Sequence, residues 1–264
     1  MPTSREAKVA FGPWARNRAM PLRDLTVLVT GAGRGIGRAA ALACADAGAD
    51  VIAVSRTRSD LDKLAREAVS TSGSLTPMVF DVTSPEFIEA IGQMDRLDIL
   101  LSNAGTNKLQ ELAEVDDETL DLLLKLNVRS AFQVSRAAAL RMVTLGRGGS
   151  IIHVSSQMGH VGAPKRSVYC MTKHAIEGLT KAMAIELASE RIRVNAVAPT
   201  IVETPMTLPF LADPAYRSFA MATIPLKQIA TAEDVAEAVV YLASPAARMV
   251  TGISLRVDGG ATAQ

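Results

Sequence analysis

Short apolar runs alternate with amphipathic stretches along the chain from Leu25 onward. The runs are rich in β-branched residues and continuous in apolar character, as in strands whose two faces are both covered. They read LTVLVT, VIAVS, MVF, LDILLS, SIIHVS, IRVNAVA and ISLRV. The stretches between them have helical spacing, for example residues 36–47, 60–70, 118–142, 169–189 and 232–242. These repeated units predict an α/β fold, a Rossmann-like, doubly wound, three-layer sandwich with a central, mostly seven-stranded parallel sheet.

Two segments lie outside this pattern. Residues 1–22 are basic and acid-poor but lack the apolar core of a secretory signal, so we expect a poorly ordered N-terminal arm, with a targeting peptide as the alternative. Residues 200–225 are mixed in character and rich in proline, which favours a functional lid, the substrate loop of the domain, rather than a simple connection. No linker-like change in composition interrupts residues 23–264, so we expect them to form a single domain.

Composition excludes several classes of protein. The formal net charge of +1 gives no electrostatic signature of nucleic-acid binding, and no apolar run approaches the roughly 18 residues of a membrane span. The two cysteines, Cys44 and Cys170, form no CxxC pair and the three histidines are dispersed, so neither a disulfide framework nor a zinc site is indicated. We therefore expect a cytoplasmic protein with a small-molecule partner, and no metal, membrane or nucleic acid.

A glycine-rich turn, TGAGRGIG at residues 30–37, follows the first strand and opens into a helix. Glycines allow a tight turn, and the free amides of a helix N-terminus attract phosphate, so the turn suits a dinucleotide pyrophosphate. The common spacing G-x-G-x-x-G is absent, and Gly31, Gly35 and Gly37 form G-x-x-x-G-x-G instead. The alternative is a turn that only lets helix meet strand.

The chain about twenty residues past this turn bears on the choice of dinucleotide. Folds that bind NAD place an acidic residue there to hold the adenine ribose, whereas a nearby arginine accommodates the 2′-phosphate of NADP. Here the residues are Ser55, Arg56 and Thr57, and Arg34 inside the glycine turn supplies a second cation. The pattern favours NADP(H), with NAD(H) as the alternative, although Asp60 is near enough in sequence to pair with Arg56.

Tyr169 and Lys173 stand four residues apart in the first turns of a predicted helix, so their side chains share one face. A nearby ammonium favours phenolate and would lower the pKa of the tyrosine, which would make the pair a proton-transfer device. In isolation the pair could equally be a solvated helix face. Other motifs must distinguish these interpretations.

Several further motifs follow the glycine turn in a characteristic order. They are the NAG of Asn103, Ala104 and Gly105 after the fourth strand, Asn127 within the next helix, and Ser155 and Ser156 at the end of the fifth strand. With the glycine turn and the Tyr-x-x-x-Lys pair, this order resembles the classical short-chain dehydrogenase/reductase family over residues 25–260. Ser156 precedes Tyr169 by thirteen residues, as is usual in that family, and is therefore preferred to Ser155 as the catalytic serine.

The resemblance implies roles for four residues in catalysis. Ser156 and Tyr169 would donate hydrogen bonds to a substrate carbonyl, and Tyr169 would supply the proton during reduction. Lys173 would lower the pKa of Tyr169 and hold the nicotinamide ribose. Asn127 would support a water molecule that relays protons.

The resemblance also implies a set of cofactor-binding residues. Asp81 and Val82 match the pair that contacts adenine, with a helix cap as the alternative role of Asp81, while Val202 and Thr204 match the positions that hold the nicotinamide carboxamide. Pro199 is followed by Thr200 where the family usually has glycine, which leaves the adjacent substrate wall in doubt. The full set is Gly31, Gly33, Arg34, Gly35, Ile36, Gly37, Ser55, Arg56, Thr57, Asp81, Val82, Asn103, Ala104, Gly105, Tyr169, Lys173, Pro199, Val202 and Thr204.

By this resemblance the chain is expected to be an NADP(H)-dependent oxidoreductase acting on a ketone or secondary alcohol. The stretch VSRTRSDL is similar to that of xylulose and carbonyl reductases, which favours a sugar-like or polyol substrate. The alternatives are a 3-oxoacyl thioester reductase and a non-catalytic nucleotide-binding protein. Residues 23–264 would form one dinucleotide-binding catalytic domain, and wide apolar faces on the helices that start near Glu118 and Tyr169 favour a homotetramer, with a dimer as the alternative. The expected substrate walls are Gln157, Met158, His160 and residues 200–225. Met206, Phe210, Leu211, Tyr216 and Phe219 of that segment could line the pocket, although for most of them the favoured alternative is that they only fasten the segment to the core.

Overall fold

A central sheet of seven parallel strands organises the computed structural model, which describes residues 20–263. The strands are β1 (Thr26–Thr30), β2 (Asp50–Ser55), β3 (Ser74–Val79), β4 (Ile99–Ser102), β5 (Gly149–Val154), β6 (Ile192–Pro199) and β7 (Ser254–Val257). Their order across the sheet is β3-β2-β1-β4-β5-β6-β7. The order reverses between β1 and β4, and ligands of such sheets bind beyond the carboxyl ends of the strands at this point.

Helices cover both faces of the sheet. They are α1 (Gly35–Asp46), α2 (Arg58–Glu67), α3 (Pro85–Gly92), α4 (Asp117–Leu123), α5 (Ser130–Leu145), α6 (Ser167–Glu186), α7 (Leu208–Leu211), α8 (Pro214–Thr223) and α9 (Ala232–Ala243). One apolar cluster joins the sheet to α1, α2 and α9, and a second joins it to α3, α5 and α6. This three-layer arrangement confirms the predicted fold class.

The strands follow the sequence prediction closely because their residues are buried on both faces. All five residues of β1 are buried. In β6, every residue except Arg193 is buried. The third strand is longer than its apolar signal, MVF, since β3 begins at Ser74 and pairs along β2 from Asp50 to Ser55. Half-exposed positions in β3, at the edge of the sheet, explain why its apolar run is short.

The helices differ from the prediction in three places. The single helix expected at residues 118–142 is divided into α4 and α5 by a π-helical turn, Leu124–Arg129. Helix α3 was not predicted, although Ser84 accepts a hydrogen bond from the backbone nitrogen of Phe87 and Pro85 is its first residue, both of which are common at a helix start. The segment at residues 200–225 contains α7 and α8.

The two ends of the described chain bear on the remaining predictions. The predicted arm, residues 1–22, lies outside the described residues up to residue 19. Leu22 is fully buried, and its backbone nitrogen donates to the carbonyl oxygen of Ala47 at 3.0 Å, so the chain joins the core by this residue. Within residues 20–263, none of the helices combines the length and apolar character needed to cross a membrane.

Candidate active site at the carboxyl ends of the strands

The glycine turn leads from β1 into α1, and three of its positions require glycine. Gly31 and Gly35 have φ values of 66° and 57°, the left-handed region that favours glycine. A Cβ on Gly37 would lie 2.4 Å from the carbonyl oxygen of Gly31. The positive φ values and the nearby carbonyl oxygen are features of the backbone. The geometry of the turn itself therefore requires glycine at positions 31, 35 and 37.

Asn103 fastens this turn to the end of β4. Its backbone nitrogen donates to Thr30 Oγ1 at 2.9 Å, and its Nδ2 donates to the carbonyl oxygens of Thr30 and Gly31 at 3.0 and 3.2 Å. The same Nδ2 would be 2.4 Å from a Cβ on Gly37. Asn103 therefore does more than end a strand. It holds together the loops after β1 and β4, the two strands between which the strand order reverses.

A cleft of about 340 Å³ runs from the glycine turn to the end of β5. It brings together most of the predicted site residues, namely Gly31, Gly33, Arg34, Gly35, Ile36, Ser55, Arg56, Thr57, Asp81, Val82, Asn103, Ala104, Gly105, Ser156, Tyr169, Lys173, Pro199, Val202 and Thr204. Gly37 and Asn127 do not line it. The glycine turn at the start of α1 and the length of the cleft together fit an extended dinucleotide whose phosphates meet the helix amides.

One end of the cleft carries the residues predicted to select the dinucleotide. Gly33 is packed against Ser55, since a Cβ there would lie 2.8 Å from Ser55 Oγ. Arg56 pairs with Asp81, not with Asp60, at 3.8 Å between Nη1 and Oδ2. Both partners are largely exposed, so this long ion pair contributes little and leaves the guanidinium available. Asp60, predicted only as a possible partner of Arg56, lines the cleft itself.

Asp81 forms a tight turn after β3. One of its oxygens accepts hydrogen bonds from the backbone nitrogen and the hydroxyl of Thr83, each at 2.8 Å. The backbone hydrogen bond is the main reason why the pKa of Asp81 lies below its usual value, and Arg56 adds to the effect. The suggested helix-cap role of Asp81 is wrong, because Ser84 caps α3.

At the other end of the cleft, Ser156 and Tyr169 both line the wall, and Ser156 acts on the pKa of the tyrosine. Ser156 follows β5 and also accepts from the backbone nitrogen of Met158 at 3.1 Å, while Tyr169 lies in the first turn of α6. Burial raises the pKa of Tyr169, and the hydrogen bond with Ser156 and the charge of Arg166 oppose that rise. The predicted lowering of this pKa by Lys173 is therefore not what the protein shows, and Tyr169 is a neutral phenol that can donate a proton.

Lys173 is buried one turn further along α6. It is 7 % exposed, its Nζ donates to the carbonyl oxygen of Val154 at 2.8 Å, and the same nitrogen lies over the ring of Tyr169. Burial lowers the pKa of Lys173 to about 8, and the charge of Glu177 opposes the lowering. Lys173 is therefore poised to gain or lose a proton near neutral pH.

Asn127 lies inside the π-helical turn and is 2 % exposed. Its Oδ1 accepts from the backbone nitrogen of Thr106 at 2.9 Å, and its Nδ2 donates to the Thr106 carbonyl at 2.8 Å and to Thr172 Oγ1 at 3.2 Å. It thus pins the loop after β4 against α6. The predicted role of Asn127 in proton relay remains a prediction, since its hydrogen bonds are made to protein groups behind the cleft wall.

Thr200 brings a hydroxyl group to the wall of the cleft. It follows β6, its backbone nitrogen donates to the carbonyl oxygen of Val257 at 3.2 Å, and its buried Oγ1 has no hydrogen-bond partner among residues 20–263. A buried polar atom without a partner is costly unless a ligand or water satisfies it. The replacement of the expected glycine therefore adds a polar group to the substrate side.

Several lining residues that neighbour the motifs were not predicted. They are Asp60, Phe80, Thr106, Leu126, Val154 and Ser155, whereas Pro205 and Thr207 belong to the predicted substrate loop. Their adjacency to the predicted motifs was the available signal. Among the expected substrate walls, Met206 lines the cleft, whereas Phe210 packs against Tyr216 with ring centroids 6.1 Å apart. Phe219 is largely exposed.

Comparisons with known proteins agree with this geometry. A family model described as enoyl-(acyl carrier protein) reductase matches residues 31–262. The chain is 43 % identical to L-xylulose reductase of Mus musculus over 234 residues, covering 88 % of this chain and 94 % of the relative. It is also similar to the crystal structure of a short-chain type dehydrogenase/reductase from Mycobacterium marinum, at 36 % identity and a TM-score of 0.87, covering 93 % of this chain and 98 % of that one.

A third similarity is to a crystal structure that holds a nucleotide. It is gluconate 5-dehydrogenase from Burkholderia cenocepacia J2315 in complex with NADP and tartrate, with 30 % identity and a TM-score of 0.88, covering 94 % of this chain and 99 % of that one. The family match spans most of the chain, and the relatives share its whole fold. The chain belongs to the short-chain dehydrogenase/reductase family.

Proposed function

We propose that this protein is an NADP(H)-dependent oxidoreductase that interconverts a ketone and a secondary alcohol on a sugar-like or polyol substrate. The observation that carries the proposal is the position of Ser156, Tyr169 and Lys173 at one end of the cleft that begins at the glycine turn. A non-catalytic nucleotide-binding protein would not need a buried lysine beside a half-buried phenol and a serine hydroxyl.

The chain's own residues account for the handling of the carbonyl and its proton. Ser156 and Tyr169 would donate hydrogen bonds to the substrate oxygen, which polarises the carbonyl and stabilises the charge that develops on it. Tyr169, held neutral by burial, would then transfer its proton to that oxygen. Bound nicotinamide would supply the hydride in reduction and accept it in oxidation. Lys173 would hold the ribose and, as an ammonium, ease the charge left on Tyr169.

The preference for NADP(H) is supported by charge. Arg34 and Arg56 border the same end of the cleft, and two guanidiniums can bind one phosphate through charge-assisted hydrogen bonds. Arg56 is 74 % exposed and only loosely paired with Asp81, so it can turn toward a 2′-phosphate at small cost. The Burkholderia relative, whose crystal structure contains NADP, is consistent with this choice.

The substrate class is supported by the relatives and by the wall of the cleft. L-Xylulose reductase and gluconate 5-dehydrogenase are both named for sugar-derived substrates. The unpartnered hydroxyl of Thr200 offers a hydrogen bond to a substrate with several hydroxyl groups. A long acyl chain is apolar and could not form a hydrogen bond with Thr200, so the buried hydroxyl of Thr200 would remain unsatisfied.

A substrate panel tests the proposed function directly. Oxidation of NADPH would be followed by its absorbance with neutral ketoses, keto-acids of sugars, a steroid ketone and a 3-oxoacyl thioester. We expect the highest kcat/KM with a ketose or sugar keto-acid. A higher value for the thioester would identify the alternative reductase, and nucleotide binding with no turnover of any ketone would contradict an enzymatic role.

We further propose that residues 23–264 act as one catalytic domain in the cytoplasm and assemble as a homotetramer, with a dimer as the alternative. Large apolar side chains remain exposed on α4, α5 and α6, including Leu122, Phe132, Leu140, Met171 and Ile185. Such faces are typical of surfaces that a second copy covers. Both cysteines are free and buried, which suits a reducing compartment. Light scattering at micromolar concentration tests the assembly, and a monomer would contradict it.

A further inference from the structure

Glu177 is a buried acid to which the proposed chemistry assigns no task. It lies four residues after Lys173 on α6, so the two side chains share one helix face, and it is only 6 % exposed. A carboxylate removed from water is costly unless hydrogen bonds and an opposite charge compensate it. The surroundings of Glu177 supply both.

Three elements hold the carboxylate in place. Ser254 on β7 donates its hydroxyl proton to Glu177 Oε1 at 2.9 Å. His160, in the loop after β5, has its Nε2 3.0 Å from Ser254 Oγ and 3.3 Å from the same carboxylate oxygen. This arrangement is satisfied when Nε2 of His160 carries a hydrogen and points it at Ser254 Oγ. The network therefore joins α6, β7 and the loop that carries Ser156.

The loop after β5 packs closely on α6 between the lysine and the acid. A Cβ on Gly159 would lie 3.0 Å from Glu177 Cγ and 3.1 Å from the carbonyl oxygen of Lys173. The same Cβ would lie 2.8 Å from Ser155 Oγ, so the loop packs tightly against α6 on the side of the catalytic residues. In this setting a fixed negative charge acts on its neighbours more strongly than it would at the surface.

We propose that Glu177 is a positioning residue for Lys173: its carboxylate, fixed by Ser254 and His160, holds the buried lysine in the ammonium form that the transfer of a proton from Tyr169 requires. This inference rests on the proposed function for its catalytic meaning, but the charge state of Lys173 can be measured without turnover.

The other titratable groups around these residues do not replace Glu177. Lys173 also faces the ring of Tyr169 and influences His153 on β5. His153 is buried and neutral, since burial lowers its pKa to about 4, and it would repel the ammonium if it were charged. On the side of Glu177, His160 is the facing titratable group, and it is partly exposed. Glu177 is therefore the buried acid that acts on Lys173, without forming an ion pair with it in the described part of the chain.

The charge state of Lys173 can be followed by NMR in the full chain without added nucleotide. The protein would be labelled with 13C-lysine, and the Cε signal of Lys173 would be assigned by its loss in Lys173→Met. In Glu177→Gln, whose amide oxygen can still accept from Ser254, we expect the titration midpoint of Lys173 to fall by about one pH unit. Glu177→Asp keeps the charge and should retain most of the original midpoint.

Glu186→Gln is the matched control, because Glu186 lies on the same helix but is exposed. It should leave the midpoint unchanged. An unchanged midpoint in folded Glu177→Gln would overturn the proposal. If Glu177→Gln does not fold, Ser254→Ala removes the donor that fixes the carboxylate; a lower midpoint in that variant supports the proposal, and an unchanged one contradicts it.

Kinetics provide the second readout. In NADPH-dependent reduction, the decline of kcat at high pH should move to lower pH in Glu177→Gln by about the same amount as the NMR midpoint. A purely structural role would lower thermal stability and leave the pH of this decline in place. If the unmutated protein reduces no ketone, the proposed function fails, whereas the NMR titration still decides the inference about Glu177.

Discussion

The Nζ atom of Lys173 lies over the ring of Tyr169, 5.6 Å from its centroid, and donates its hydrogen bond to the carbonyl oxygen of Val154. The lysine therefore lies beside the ring of the tyrosine, while Ser156 opposes the rise in the pKa of the tyrosine. Because burial keeps Tyr169 protonated, the arrangement favours donation of a proton to a carbonyl oxygen.

Tyr169→Phe should remove most turnover and leave NADPH affinity nearly unchanged. The phenol oxygen acts on the substrate during proton transfer, so only the transition state loses an interaction. Steady-state kinetics and a fluorescence titration with NADPH measure the two effects separately. Turnover close to that of the unmutated protein would rule out Tyr169 as the proton donor.

Arg56→Asp should lower kcat/KM for NADPH at least tenfold, about 1.4 kcal/mol or more, and raise the ratio of NADH to NADPH use. The new carboxylate would repel a 2′-phosphate and could bind ribose hydroxyls instead. Arg58→Asp makes the same charge change two residues later, on a side chain that pairs with Asp62 outside the cleft, and should have a much smaller effect. A preference of the unmutated protein for NADH would contradict the assignment of NADP(H).

Gly37→Ala should abolish tight nucleotide binding. Its Cβ would meet the Gly31 carbonyl and the Asn103 amide, both at 2.4 Å, so the turn would have to open. We expect at least a tenfold loss of NADPH affinity, about 1.4 kcal/mol, together with a lower melting temperature. Gly92→Ala is the matched control because nothing lies within 4 Å of its added Cβ. Equal behaviour of the two variants would show that the turn tolerates a side chain.

The protein should lose stability on acidification partly through His153. This side chain is 1 % exposed, contacts Ser135 and Thr180, and has a pKa that burial lowers from 6.5 to about 4. Between these values the unfolded chain binds a proton that the folded chain does not, so the free energy of unfolding falls as pH falls through this window. The full loss from this group is about 3 kcal/mol.

Chemical denaturation at a series of pH values tests that expectation. His153→Gln keeps a hydrogen-bonding side chain but removes the titration, so its stability should depend less on pH between about 6.5 and 4. His174→Gln, on an exposed histidine of α6, should keep the slope of the unmutated protein. A slope that does not change in His153→Gln would exclude this histidine as the cause.

The fold was predictable because each strand can be recognised from its own residues. Strands buried on both faces read as continuous apolar runs, and the glycines of the turn are fixed by backbone geometry that only glycine satisfies. The division of the long helix was not predictable from periodicity, since a π turn changes the phase of the pattern by a single residue and leaves the composition helical. Helix α3 was not among the predicted helices, although a cap was considered at Asp81, three residues before the actual cap, Ser84.

Properties that depend on the packing of distant segments could not be predicted from sequence. The pKa of Tyr169 is set first by burial, which comes from elements far apart in the chain, and not by its neighbour in the motif. Arg56 finds its carboxylate partner in Asp81 at the end of the adjacent strand, because β2 and β3 run side by side. The network around Glu177 joins residues from α6, β7 and the loop after β5.

The π turn between α4 and α5 has a consequence for how this site can change through evolution or design. A π turn accommodates one residue more than regular helical geometry would, and so it marks the place of a single-residue insertion. Deleting one residue within Leu124–Arg129 would let α4 continue into α5 as one regular helix, rotated by roughly 100° per residue relative to the sheet. Asn127 would then turn away from Thr106 and lose its hydrogen bonds to the loop after β4. A change in the rotation of this helix therefore requires a matching change in that loop.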